Sequence, residues 1–138
     1  MSIIHEILNE YWGYDSFRPC QEGIINSVLN GNDTLGLLPT GGGKSITFQV
    51  PAIALEGLTI VITPLISLMK DQVDNLRQHN INAVYLHSGL TKSEHRLAID
   101  KCRLGKAKLL YLSPEKLQSK SMIDHLRLMD VKLIVVDE

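Results

Sequence analysis

One stretch constrains this chain more than any other: Pro39-Thr40-Gly41-Gly42-Gly43-Lys44-Ser45. It follows a short apolar segment, Thr34 to Leu38, that reads as a buried strand, and it leads into a helical pattern from about Lys44 to Leu55. Consecutive glycines let the backbone turn and aim several N–H groups at one anion. A helix starting at the end of that turn adds the positive end of its dipole. Thr40, Gly41, Gly42 and Gly43 would then cradle the phosphates of a nucleotide. The Lys44 amine would reach the β- and γ-phosphates, and the Ser45 hydroxyl would ligate Mg²⁺. A glycine-rich turn with an accidental Lys-Ser is the alternative, and the strand and helix on either side speak against it.

The rest of the chain fits around that turn. Residues 2–12 place Ile3, Ile4, Ile7, Leu8, Tyr11 and Trp12 at helical spacing, and Gly13 ends the run. Pro19 suits the first position of a second helix, with Ile24, Ile25, Val28 and Leu29 on one face. Asn30 to Asp33 reads as a turn. Downstream, strands are expected over 58–63, 83–86, 108–112 and 131–136, with helices over 66–78, 91–103 and 114–128, the last in one piece or two. Near-continuous apolar strands separated by helices imply an α/β fold, a parallel sheet covered on both faces. Two N-terminal helices (1–30) precede the sheet-bearing part (31–138), and the whole reads as one structural domain.

Composition sets milder bounds. A chain of 138 residues suits a single core, and 44% apolar content is ordinary. No apolar run is long enough to span a membrane. His5 and Glu6 interrupt the first apolar stretch, so nothing resembles a secretion signal and the cytoplasm is expected. Cys20 and Cys102 are expected as reduced structural thiols, and the five histidines show no zinc spacing. A formal net charge of −1 argues mildly against a nucleic-acid binder. Phosphates can also be held by helix N-termini and backbone amides, which weakens that objection.

Two further clusters carry chemistry. Asp137-Glu138 close the apolar strand 131–136, and a parallel strand delivers its last residues to the sheet edge where a phosphate loop sits. Asp137 there can hold Mg²⁺, and Glu138 can orient and deprotonate an attacking water. Upstream, Phe17-Arg18-Pro19-Cys20-Gln21 offers a Gln21 amide whose donor and acceptor match the N6 and N7 of adenine, with the Arg18 guanidinium able to stack on the base. A strand exit to solvent and an ordinary helix start are the plainer readings of these two clusters.

Taken in order, these residues resemble the RecQ-family DNA helicases of the DEAH-box type. Gly13-Tyr14 through Gln21-Glu22 is similar to the family's adenine-reading motif, and Leu38 through Ser45 to its phosphate loop. Pro64 to Val73 resembles its next motif almost letter for letter. Tyr111 to Leu117 resembles the one after, and Val135 to Glu138 the start of the DEAH box. Leu38 stands where the strict phosphate-loop pattern has glycine, which disfavours a small-molecule kinase. The resemblance implies a RecA-like lobe that binds ATP and Mg²⁺, with Tyr14 beside the adenine. It implies single-stranded and duplex DNA as partners, 3′-to-5′ movement, and work in repair and recombination. It also implies that Thr63, Pro64, Ser67, Lys70, His87, Ser88, Ser113 and Pro114 face DNA. A nucleotide-binding module that does not translocate is the alternative. The second lobe, with its arginine finger, is absent from the sequence. The chain alone is therefore expected to bind nucleotide but not to unwind DNA.

Overall fold

A computed structural model describes residues 2–39 and 43–137. The chain divides into two compact units, Met1–Glu56 and Gly57–Glu138.

In the first unit, helix α1 (Ile3–Trp12) buries Ile4, Ile7 and Leu8. These lie three and four residues apart and form one stripe. Gly13 stops the helix in the left-handed conformation, φ 76°, and its N–H bonds the Asn9 carbonyl. Helix α2 (Gln21–Leu29) and helix α3 (Ile46–Ala54) add Ile25 and Val50 to the same small core. Helix α2 starts two residues after Pro19, because Cys20 takes a left-handed φ of 74° that no helix continues through. Helix α3 starts at Ile46, so Lys44 and Ser45 form the turn at its entrance.

The expected strand over Thr34 to Leu38 is not present: the segment has no regular structure, and Leu35 and Leu37 are 83% and 80% exposed. Strand conformation needs a neighbour for its backbone N–H and C=O groups. The sheet gives this segment none.

The second unit is a four-stranded sheet with helices packed on both faces. Strand β1 (Leu58–Ile62), helix α4 (Ile66–Gln78), strand β2 (Ala83–Leu86), helix α5 (Lys92–Arg103), strand β3 (Leu109–Leu112), a short 3₁₀ turn (Pro114–Gln118), helix α6 (Lys120–Arg127) and strand β4 (Val131–Val136) follow in order. The strands run in the order β2-β3-β1-β4, every pair parallel. Alternate residues of a strand face opposite sides. Leu58, Ile60, Val84, Leu86, Leu110 and Leu112 pack with α5 and α6. The intervening residues face α4, as the 2.6 Å hydrogen bond from the Tyr111 hydroxyl to Gln72 Oε1 marks. The central strand β3 is buried throughout, whereas β4 at the edge leaves Ile134 and Val136 exposed. The strands over 83–86 and 131–136 and the helix over 66–78 have the bounds their periodicity predicts.

Candidate nucleotide site and a row of polar strand ends

In the first unit the chemistry gathers at the entrance to α3. Gly43 takes φ 77°, and a Cβ there would strike the Gln21 amide and touch the Arg18 side chain. Gln21, only 4% exposed, donates from Nε2 to the Gly43 carbonyl at 2.9 Å and accepts from the Arg18 backbone N–H at 2.8 Å. The residue expected to read adenine is thus fastened to the loop expected to hold phosphate. Lys44 is exposed and Ser45 half-buried. The Lys44 carbonyl accepts from the Thr47 N–H at 3.0 Å and the Ser45 carbonyl from the Gln49 N–H at 2.9 Å, so both carbonyls are committed to the helix. Arg18 and Tyr14 are exposed. Beside them a cleft of about 490 Å³ is lined by Phe17, Arg18, Pro19, His5 and Glu22. His5 bridges to Glu22 at 2.9 Å and meets Phe17 edge to face. Thr40, Gly41 and Gly42 lie outside the described residues.

In the second unit each of the four strands is followed at once by a polar residue: Thr63 after β1, His87 after β2, Ser113 after β3 and Asp137 after β4. The strands are parallel, and Leu86, Leu112, Ile62 and Val136 are in register. The next residues therefore form one row across the edge, His87–Ser113–Thr63–Asp137. The ladder continues into that row, with Ser113 N–H to Leu86 O at 3.3 Å, Thr63 N–H to Leu112 O at 3.1 Å and Asp137 N–H to Ile62 O at 2.9 Å. All four are buried, at 6, 0, 4 and 9% exposure.

Four buried polar side chains in line are costly unless each finds a partner. His87 accepts from the Gly89 N–H at Nδ1, 3.0 Å, and lies flat on Tyr85. The ring proton therefore sits on Nε2, which is buried with no partner among the described residues. Thr63 Oγ1 accepts a long bond, 3.4 Å, from the Leu65 N–H. Neither Thr63 nor Ser113 caps a helix through its side chain, since α4 has Leu65 at its N-cap and the Ser113 hydroxyl caps nothing. Pro64, Ser67, Lys70, Ser88 and Pro114 are all exposed around the row. Glu138 lies outside the described residues. Among the described residues no group of three or more His, Cys, Asp or Glu side chains is arranged to hold a metal ion.

Sequence reasoning named these residues one motif at a time and missed that they form a single row, because register is a property of strand order. It also missed a stripe of cations on α5. Lys92, Arg96 and Arg103, at i, i+4 and i+11, return to one face of a 3.6-residue helix, a signal the sequence does carry.

Comparison with known proteins places these features in context. The profile of the family described as DEAD/DEAH box helicase matches residues 18–138. The chain is 46% identical over 132 residues to the ATP-dependent DNA helicase RecQ of Haemophilus influenzae, covering 96% of this chain and 21% of that protein. It is 47% identical over 137 residues to the RecQ of Synechocystis sp., covering 98% and 29%. With the probable ATP-dependent DNA helicase RecS of Bacillus subtilis it shares 39% over 139 residues, covering 100% and 28%. The chain thus spans less than a third of the length of these relatives. A crystal structure of a hypothetical ATP-dependent RNA helicase from Sulfolobus tokodaii superposes with a TM-score of 0.70 at 23% identity, over 99% of this chain and 40% of that one. That likeness concerns the fold.

Proposed function

This chain belongs to the DEAD/DEAH box helicase family, and on that premise we propose that it is the ATP-binding lobe of a RecQ-type DNA helicase moving 3′ to 5′. The observation that carries the reading is the bond from Gln21 to Gly43 at the entrance to α3, which ties the base-reading motif to the phosphate loop. At Gly43 the Gln21 amide takes the place a Cβ would have, and Lys44 and Ser45 stand at a helix N-terminus, where a nucleotide phosphate is favoured.

In this reading Gly41, Gly42 and Gly43 turn backbone N–H groups toward the phosphates, with Thr40 beside them. Lys44 neutralises the β- and γ-phosphate oxygens. Gln21 reads adenine, flanked by Tyr14 and Arg18. Ser45 and Asp137 are the residues that would ligate Mg²⁺, which would supply positive charge at the phosphate oxygens. Glu138 orients the attacking water and takes its proton. Thr63, Pro64, Ser67, Lys70, His87, Ser88, Ser113 and Pro114 hold single-stranded DNA, His87 through the Nε2 proton that has no acceptor among the described residues. Transition-state charge contributed from a second lobe is typically worth about 10³ to 10⁵ in rate, so turnover by this chain alone is marginal and strand separation absent.

Lys44→Ala tests the reading. It is expected to abolish ATP binding, measured by fluorescent-nucleotide titration, and with it any ATP hydrolysis stimulated by single-stranded DNA. Unchanged affinity in the variant would overturn the assignment of the loop. Hydrolysis indifferent to DNA in the parent would point to a nucleotide-binding module that does not translocate.

A further inference from the structure

Helix α5 and the segment from the 3₁₀ turn into α6 enclose a cleft of about 530 Å³. Its walls carry Lys92, His95, Arg96 and Arg103 from α5, and Lys116 and His125 from the facing segment. Asp100 is the one acid among the lining residues, and Leu90 and Ile99 contribute apolar surface. Among the described residues, Lys92, Arg96, Arg103 and Lys116 form no ion pair. Lys116 is nevertheless half-buried. Burial, with Lys116 and His125 close by, holds His95 below its ordinary value. A chain with a net charge of −1 has therefore gathered four unneutralised cations into one cleft.

We propose that this cleft is a track for the sugar-phosphate backbone of single-stranded DNA, continuing from the strand-end row onto the flank of the lobe. The inference rests on the DNA-binding reading above and extends it to residues outside the family motifs. Three observations favour a phosphodiester chain over an acidic peptide. The cleft begins at Leu90, Thr91 and Lys116, in the loops that follow β2 and β3, where DNA is proposed to lie. From Lys92 to Arg103 the cations extend about 16 Å along α5 at 1.5 Å per residue, a length that meets charges repeated along a strand. Arg96 and Arg103 present planar guanidinium forks, which match phosphate oxygens in pairs.

The test compares the full chain with an Arg96→Glu/Arg103→Glu variant and an Arg96→Lys/Arg103→Lys variant. Each is titrated with 6-nucleotide and 20-nucleotide single-stranded DNA and with a poly-glutamate peptide, by fluorescence anisotropy over a salt series. Both arginines are exposed, and a thermal melt checks that folding is unchanged. The glutamate variant is expected to bind the longer DNA about tenfold more weakly. Its slope of log affinity against log salt should be shallower by about 1.4, roughly 0.7 for each phosphate no longer neutralised. The shorter DNA should lose less, and the lysine variant should keep most of the affinity. Equal binding and equal slope in parent and glutamate variant would overturn the track while leaving the DNA-binding reading standing. Loss of peptide binding with DNA binding intact would likewise overturn it and make the cleft a docking surface for an acidic protein. Failure of the parent to bind either DNA would instead defeat the DNA-binding reading itself, and the track with it.

Discussion

Gly43 meets two demands that no other residue type meets together. Its φ of 77° is left-handed, and the Gln21 amide lies where a Cβ would be. Gly43→Ala is expected to cost about 1–2 kcal/mol from the backbone alone, read as a lower urea midpoint. It should also displace Gln21 and weaken adenine-nucleotide binding. Combining it with Gln21→Ala removes the obstructing amide, so the double variant should lose less stability than the two single losses added. A Gly43→Ala protein with the parent's midpoint would show that the loop adopts another conformation. The need for a glycine here was legible in the triple-glycine run. The left-handed Cys20 was not, because cysteine does not advertise positive φ, and so the second helix was expected to begin at Pro19 rather than Gln21.

The individual elements show where periodicity suffices. Helix α4 repeats Met69, Val73 and Leu76 at spacings of four and three, so its stripe names its own face. Helix α5 carries its own start signal: Thr91 N–H donates to Glu94 Oε1 at 2.9 Å while Glu94 N–H donates to Thr91 Oγ1 at 3.1 Å. The bond from the Thr91 N–H, and after it the Thr91 hydroxyl, hold the Glu94 carboxyl below the usual carboxylate range. Thr91→Ala is expected to destabilise the chain by about 1 kcal/mol, seen in chemical denaturation, with Thr91→Ser recovering most of the loss. No change would mean that the α5 N-terminus is held by packing alone. The segment Thr34 to Leu38 is the counterexample. Its apolar residues match a strand in every local respect, yet strand character comes from a neighbour, and no window of sequence contains the neighbour.

Across the whole molecule the two units can be followed separately through their thiols. Cys20, in the first unit, is exposed. Cys102, in the second, lies on the buried face of α5, and burial pushes its thiol up to about 12. Near pH 8 only roughly one in 10⁴ such thiols is ionised. A maleimide pulse should therefore modify Cys20 promptly and Cys102 only as Gly57–Glu138 opens, with mass spectrometry resolving the two. Prompt labelling of both would show that α5 does not pack as described. The parallel sheet was legible from its apolar strands, whereas the order β2-β3-β1-β4, and with it the alignment of four polar residues, required the fold. That alignment limits how such a chain can vary in length. Successive strand residues face opposite sides, so one residue gained or lost inside β1, β2, β3 or β4 turns the polar residue at its end from one face of the sheet to the other. Strands here can change length only by even steps. The connections at the far edge, 79–82 and 104–108, carry no such parity, and they are where insertions and deletions can accumulate without disturbing the row.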